Sequence, residues 1–206
     1  MNRRIERIQL QYVRIFLEKS LRVGSRRTKG GAFSRPSIYD GIEQYLFLIK
    51  EYEDSIVYAD KPYKLRGLME AAGMSEEEAW KRAESNTLED TEEQRIEDAL
   101  GLPEEIKEES LFCTHVISNK EGLYGAGAAT LRVERFLKEH GVKSMAVLPS
   151  SRHEMLIIPG ATMDHLRDIT EMVRDVNATD VEQEDRLTDR AYIVTLDRDG
   201  KTVVRE

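Results

Sequence analysis

The sequence contains almost no cysteine: Cys113 is the single one among 206 residues. A lone cysteine excludes an intramolecular disulfide framework and fits a reducing compartment. Long apolar runs are also lacking, because no stretch approaches the roughly 18–20 apolar residues that span a bilayer. The basic N-terminus carries charges every few positions and therefore lacks the apolar segment of a secretory signal. We expect a cytoplasmic protein that does not enter a membrane.

Acidic residues outnumber basic ones, giving a net charge of −8 at pH 7, but the two signs are unevenly distributed. Residues 1–30 hold nine Lys or Arg against two Glu, a net charge of +7, so the rest of the chain carries −15. Such asymmetry is typical of an arm that binds a polyanion, or of a basic segment that docks on its own protein's acidic surface. The second interpretation is favoured, because the opposite charge is present in the same chain.

Residues 1–88 are predicted to form an N-terminal helical region. Residues 3–22 fit an amphipathic helix with two adjacent apolar strips. The first strip is Ile5, Ile8, Tyr12 and Ile15, and the second is Leu10, Val13, Leu17 and Leu21. So wide an apolar surface needs burial against its own domain or against a partner helix, for example in a homo-oligomer. A basic, glycine-containing loop is predicted over 23–37, and the helical spacing of apolar residues predicts a further helix over 37–55.

Two more helices are predicted downstream, joined by a tight turn. Gly73 ends the first of them, and Ser75 with Glu78 forms the capping box of the second. The second helix has a net negative charge, which disfavours binding to a phosphate backbone. Residues 89–110 are strongly acidic with a thin apolar edge, and we interpret them as an acidic connector.

From residue 111 the composition changes, and residues 111–206 are predicted to form a C-terminal α+β domain. The element order is β-β-α-β-β-α-β-β, with the first two strands at 111–118 and 123–128. Asp199 and Gly200 predict a closing hairpin. Hairpins pair antiparallel, so the predicted fold is α+β: N-terminal helices plus an antiparallel sheet with helices packed on one face.

Three segments of this C-terminal half resemble a known family. In chain order they are ISNKEGLYGAGAATL, AVLPSSRHEMLIIPG and EMVRDVNATDVEQEDRLTDRAYIV. Members typically show Asn-Lys before a Gly-Ala turn, Pro-Ser-Ser-x-His-Glu before an apolar strand, and Val-Asn-x-Thr near the end. On these motifs, residues 68–195 resemble an uncharacterised family of Clostridia, domain of unknown function 5688. The resemblance implies a bacterial protein and brings no established activity.

The second of these segments places four reactive residues within five positions: Ser150, Ser151, His153 and Glu154. A serine hydrolase needs a serine within hydrogen-bond reach of histidine, and a carboxylate at the other ring nitrogen. Strand neighbours point to opposite faces, so Glu154 is poorly placed to orient His153. The segment also lacks a Gly-x-Ser-x-Gly elbow. We favour a turn that enters a buried strand, with hydrolysis by His153 and one of the serines as an alternative.

Other candidate sites have weaker support. Asn119 and Gly125 belong to a glycine-containing turn ahead of a helix, as phosphate-binding loops do, but the third glycine of that fingerprint is missing. Cys113 and His115 share a strand face, and His153 could join them as a third zinc ligand. Because the His-Glu-x-x-His motif is absent, we predict no metal and no cofactor.

Basic residues of the predicted loop give the last alternative. Arg26, Arg27 and Lys29 are candidate binding residues for phosphate, but Phe33 is little aromatic support for base stacking. The sequence therefore favours a non-enzymatic interaction or accessory protein over an enzyme. Its partner would be an unknown protein or a second copy bound through the N-terminal helix, with nucleic-acid binding through the basic segment as the alternative.

Overall fold

A computed structural model of the chain describes residues 2–52, 55–103, 113–131 and 133–206; for 2–9, 51–52 and 55–58 it describes the backbone alone. None of the described helices is long and apolar enough to cross a membrane. The α-helices are α1 (Asn2–Ser20), α2 (Pro62–Ala72), α3 (Glu76–Glu89), α4 (Ile96–Ala99), α5 (Ala128–Leu131), α6 (Val133–Glu139) and α7 (Leu166–Thr179). The strands are β1 (Leu21–Arg27), β2 (Ser34–Pro36), β3 (Ile42–Tyr52), β4 (Ser55–Ala59), β5 (Thr91–Arg95), β6 (His115–Asn119), β7 (Ser144–Leu148), β8 (Met155–Pro159), β9 (Tyr192–Leu196) and β10 (Thr202–Arg205). Short 3-10 turns lie at Gly125–Gly127 and Met163–His165.

The first sheet is built around β3. β1 runs antiparallel along one edge of β3, while β2 and β4 share the other edge, since Leu48 pairs with both Leu21 and Ala59. One face of β3 packs with α1, α2 and α3 in an apolar core. The opposite face presents Tyr45 and Phe47 and is covered by Tyr124 of the C-terminal half. The fold therefore places the C-terminal half against the first sheet.

The helix predicted over 37–55 is wrong, because most of that segment forms β3 and β4. Every residue from Tyr45 to Ile49 is apolar and buried, so a strand covered on both faces resembles a helix in its apolar spacing. The predicted loop 23–37 likewise contains most of β1 and all of β2. β1 has a glycine at position 24 because the Tyr45 ring lies across the strand there, 2.8 Å from the position of a Cβ at Gly24.

The other N-terminal helices follow the sequence prediction. α1 covers the predicted amphipathic segment, and Leu17 of its second apolar strip is fully buried. Ser75 caps α3, with its backbone N–H donating to Glu78 Oε2 at 2.8 Å and its hydroxyl accepting from the Glu78 N–H at 3.2 Å. Gly73 ends α2 with a φ of 60°.

The second sheet has the strand order β10-β9-β7-β8-β6-β5, with all neighbours antiparallel. This confirms the α+β class. Apart from the short α4 between β5 and β6, the order β-β-α-β-β-α-β-β is also found, but its first two strands are β5 and β6. The strand predicted at 123–128 is instead a 3-10 turn leading into α5. The missing strand comes from the acidic connector, where Thr91–Arg95 pairs along the sheet edge. The part of the connector at 104–110 lies outside the described residues.

Helices cover both faces of this sheet rather than the one face expected from sequence. Along β7, Met145 and Val147 pack towards Phe136 of α6. The alternate residues, Ala146 and Leu148, pack towards Ile169 and Val173 of α7. Because successive strand residues point to opposite faces, α6 and α7 lie on opposite sides of the sheet.

Candidate functional site

The His153 ring lies in the turn between β7 and β8, where both of its nitrogens have partners. Nδ1 accepts a hydrogen bond from the Tyr124 backbone N–H at 3.2 Å. Nε2 lies 3.2 Å from Oδ2 of Asp185. Since Nδ1 acts as the acceptor, the ring proton sits on Nε2 and is directed to the carboxylate. His153 thus joins two loops through its ring.

The serines of the same turn bind backbone groups. The Ser151 hydroxyl accepts from the His153 backbone N–H at 3.1 Å, and the Ser150 carbonyl accepts from the Leu187 N–H at 3.0 Å. Glu154 is exposed, and the carboxylate at the histidine belongs to Asp185 instead. Four candidate residues therefore share one turn, but the His153 ring keeps no nitrogen for a serine hydroxyl.

The loop before α5 and the end of β6 are tied to this turn through hydrogen bonds to the His153 carbonyl. The Gly125 N–H and the Ser118 hydroxyl both donate to the His153 carbonyl, at 2.9 and 2.8 Å. Asn119 closes the loop on itself, with its side chain donating to the Leu123 carbonyl at 2.6 Å and accepting from the Leu123 N–H at 3.0 Å. A Cβ at Gly125 would lie 2.3 Å from the Asn119 nitrogen, so only glycine fits there. Asn119 and Gly125 thus shape the loop.

Tyr124 has a left-handed backbone, with a φ of 58°. A tyrosine in this region is strained and persists only where its surroundings hold it. Here its ring packs between Phe47 and His153, with centroid separations of 5.8 and 5.0 Å. The Arg152 guanidinium lies 4.7 Å from the centre of the same ring. The strain therefore sits where aromatic and cationic groups meet.

A third loop, residues 181–190, supplies Asp185. The Asp185 backbone carbonyl accepts a hydrogen bond from the Arg152 N–H at 2.9 Å. Its Oδ1 lies 2.5 Å from Arg152 Nε, a charge contact in which neither atom has hydrogen-bond geometry. Asn177 of α7 anchors the loop by donating hydrogen bonds to the Thr188 carbonyl at 2.8 Å and to Asp189 Oδ1 at 2.7 Å. Nothing local in the sequence marks Asp185, since it is one of several acids in its loop.

Two of these loops, the β7–β8 turn through Arg152 and the 181–190 loop, line a cavity of about 150 Å³, which we call the Arg152 groove. A smaller cavity of about 90 Å³ adjoins it, shares Tyr45 and Asp60, and has Phe47 and Tyr124 as its other walls. Larger cavities, of about 330 and 340 Å³, lie beside α1 and α3, but none of their described lining residues is aromatic. The lining of the Arg152 groove is Arg26, Arg27, Lys29, Tyr45, Asp60, Arg152, Gln183, Glu184, Asp185, Arg186 and Leu187.

The segments that meet at His153 all lie in one family match. A model described as a family of unknown function (DUF5688) matches residues 65–195, which is more than half of the chain. The chain belongs to this family. The match confirms the resemblance drawn from the three motifs, and it includes all three loops around His153. No curated protein and no solved structure matches the chain.

In this DUF5688 member, the candidate basic residues form one wall of the groove. Arg26 Nε donates to Glu43 Oε1 at 2.7 Å, and its guanidinium lies 4.7 Å from the centre of the Tyr45 ring. Arg27 is exposed and donates to the Arg186 carbonyl at 3.1 Å. Lys29 is also exposed. Burial raises the pKa of the Tyr45 hydroxyl, so that side chain stays neutral.

Other basic residues of the N-terminal segment meet acids of the same chain. Arg14 contacts Glu78 at 3.5 Å, and Arg22 contacts Asp90 at 3.3 Å. These pairs fit a basic segment that docks on its own acidic surface. The first apolar strip of α1 differs, since Tyr12 is 70% exposed, compared with full burial of Leu17 in the second strip. The side chains of residues 2–9 lie outside the description.

Proposed function

We propose that this DUF5688 protein is a non-enzymatic interaction protein that holds an acidic segment of a partner protein in the Arg152 groove. The observation that carries the proposal is the meeting of all three family motifs around His153, beside this groove. This function agrees with the accessory role in the bacterial cytoplasm that the sequence favours. An acidic peptide with apolar side chains suits the site better than a nucleic acid or a hydrolysable substrate.

The charge of the groove favours a negatively charged occupant. Five Lys or Arg and three Asp or Glu line the cavity, although the whole chain carries −8. A local excess of positive charge on an acidic protein attracts acidic segments and speeds their encounter. Arg152 and Arg26 are held in place by carboxylates and by aromatic rings, so little side-chain entropy remains to be lost on binding.

The aromatic walls favour a peptide that also carries apolar side chains. Tyr45, Phe47 and Tyr124 form a row of rings, with centroid separations of 5.8 Å at each step. Aromatic side chains and arginine are the residue types that contribute most to protein interfaces. Such a wall accepts an apolar side chain while the basic rim takes the adjacent acids.

The geometry supports binding over hydrolysis. In a Ser-His-Asp triad the histidine uses one nitrogen for the carboxylate and the other for the serine. His153 instead uses the second nitrogen for the Tyr124 backbone. The serine that lies nearest in sequence, Ser151, accepts from a backbone N–H. This arrangement favours a His153 that connects loops through hydrogen bonds over a His153 that activates a serine nucleophile.

The charge pattern also favours a peptide over nucleic acid. Arg14 and Arg22, which lie outside the groove, each contact a carboxylate of the same chain, and these contacts reduce the positive charge available to a long phosphate backbone. The exposed cations Arg27 and Lys29 lie on the rim of a small groove. That positive surface matches a short acidic peptide better than a long polyanion.

A display screen with random peptides tests the proposal. We expect the wild-type protein to enrich peptides that combine Asp or Glu with an apolar residue. The double variant Arg27→Ala/Lys29→Ala should bind a selected peptide roughly 3- to 30-fold more weakly, since each rim charge contributes up to about 1 kcal/mol. Fluorescence anisotropy at two salt concentrations measures the loss, and higher salt should weaken binding to the wild type.

The matched control removes two positive charges elsewhere. Arg167→Ala/Arg174→Ala changes two exposed residues of α7 and gives the same net charge. This control should bind the selected peptide as the wild type does. Enrichment of peptides without acidic residues, or equal losses in both double variants, would contradict the proposal.

A further inference from the structure

A second cluster of polar side chains lies at the opposite end of β6 from the groove. Glu93, His115 and His140 each place one ligand atom within 4.8 Å of the other two. His115 Nδ1 is 3.0 Å from Glu93 Oε1, and His140 Nε2 contacts the same oxygen. The two imidazole rings meet edge to face with centroids 4.4 Å apart. Three ligand atoms therefore converge on one point.

The strand register brings two of these residues together. β5 and β6 pair antiparallel, with Glu93 opposite Ile117 and Arg95 opposite His115. Residues opposite each other or two apart share a sheet face, so Glu93 and His115 are diagonal neighbours on one face. That face also carries Ile117, which packs in the core with α6. The cluster thus sits on a paired and packed part of the sheet.

The third residue is fixed by the end of α6. The His140 N–H still donates to the Phe136 carbonyl, at 3.1 Å. Gly141 then takes a φ of 63° and donates to the Lys138 carbonyl, while Val142 donates to the Leu137 carbonyl at 3.0 Å. This is a Schellman motif, which gives the helix end a defined conformation. His140 is therefore presented to the sheet by a rigid element.

We propose that Glu93, His115 and His140 bind a divalent transition-metal ion, with Zn²⁺ as the best fit. Two imidazole nitrogens and one carboxylate oxygen form a known zinc ligand set with a fourth position left for water or another ligand. At zinc–nitrogen distances of about 2.0–2.1 Å, tetrahedral ligand atoms lie about 3.3 Å apart. Atoms already within 4.8 Å need only small side-chain rotations to reach that spacing.

Cys113 supports the ring orientation that the site needs. Its Sγ lies 3.2 Å from His115 Nε2, the nitrogen that faces away from Glu93. A metal-bound histidine usually has an outer partner at its other nitrogen, which fixes the tautomer and the ring. With the proton of His115 on Nε2, the lone pair of Nδ1 is directed towards Glu93 and the metal position. Cys113 acts here as a positioning residue.

The three proposed ligands lie in a partly buried part of the surface. Glu93, His115 and His140 have side-chain exposures of 14–19%, which limits competition from water while leaving a path for entry.

Isothermal titration of the full, tag-free chain with Zn²⁺ alone tests the site. We expect saturable binding of one ion per chain. Loss of an outer-shell partner weakens metal binding by roughly 10- to 100-fold. Glu93→Gln and His140→Gln each remove a direct ligand, so each should weaken Zn²⁺ binding by at least that factor. The control His165→Gln changes an exposed histidine outside the cluster and should leave the Kd unchanged.

A cobalt spectrum gives a second readout that needs no variant. Co²⁺ bound by the wild type should give the intense visible bands of a four-coordinate site, and Zn²⁺ should remove them. Weak bands like those of aqueous Co²⁺ would overturn the proposal, as would a stoichiometry below one. Equal Zn²⁺ affinity in the wild type and in Glu93→Gln/His140→Gln, with both folded by circular dichroism, would overturn it as well.

Discussion

Replacing Gly127 with alanine is expected to lower the free energy of unfolding by about 1–3 kcal/mol or more. A Cβ at Gly127 would lie 1.9 Å from the Val23 carbonyl oxygen and 2.7 Å from its carbon. Both atoms are backbone of β1, so no side-chain rotation can relieve the clash. The 3-10 turn and the first sheet would have to separate, and urea-induced unfolding measures the cost.

Gly67→Ala is the matched control for this change. Gly67 is exposed in α2, and no heavy atom lies within 4 Å of the position of its Cβ. Alanine in a helix is favoured over glycine by about 0.8–1.0 kcal/mol, so this variant should be stabilised. The free energy of unfolding should therefore fall in Gly127→Ala and rise in Gly67→Ala. A Gly127→Ala protein as stable as the wild type would show that β1 and the turn are not in contact as described.

Replacing Asn177 with alanine is expected to destabilise the protein by about 1–3 kcal/mol and to weaken peptide binding at the Arg152 groove. Asn177 is 1% exposed and does not line the groove. Its side chain holds the Thr188 carbonyl and the Asp189 carboxylate, and the same loop supplies Asp185. Thermal unfolding and peptide titration measure the two effects.

Two further variants distinguish the effect of losing the Asn177 hydrogen bonds from the effect of losing side-chain packing. Asn177→Leu keeps the side-chain volume but has no donor, so it should lose affinity as the alanine variant does. Arg174→Ala alters an exposed residue of the same helix and should change stability by no more than about 0.5 kcal/mol. If Asn177→Leu bound the peptide normally, the hydrogen bonds to the loop would not position Asp185.

Much of the secondary structure follows from local rules. Ser75 and Glu78 predicted the start of α3 correctly, because a capping box satisfies helix N–H groups within four residues. The second helix of the predicted C-terminal order is α7, in which Leu166, Ile169 and Val173 recur at helical spacing and the last two are buried. These features depend on neighbours in sequence, so a single sequence contains the information that they require.

β3 was missed because its information is not local. From Tyr45 to Ile49 every position is apolar, since helices cover one face and Tyr124 covers part of the other. The alternation that marks a half-exposed strand is then absent. The strand predicted at 123–128 is absent, and the reason is again not local. Gly125 and Gly127 are needed because the backbone of Asn119 and Val23 comes close to them, and those residues are distant or outside the segment.

The candidate sites also contain residues that a local motif identifies and residues that only the fold brings together. His153 and its serines were found because a short motif gathers them, but their roles depend on Tyr124 and Asp185, which arrive from other loops. Glu93 and His140 are brought to His115 by strand register and by a helix end. No spacing along the chain marks that set, and the sequence led instead to Cys113, His115 and His153. His153 contacts Tyr124 and Asp185, whereas His115 contacts Glu93.

A backbone amide shift map of the ¹⁵N-labelled protein, recorded during titration with a peptide selected by the wild type, tests directly whether the Arg152 groove binds peptide. We expect the largest shifts at Tyr45, Tyr124, Arg152 and Asp185. Shifts centred instead on the exposed strip of α1 around Tyr12, or the absence of any saturable shift, would contradict the assignment of the Arg152 groove as the binding site of this DUF5688 protein.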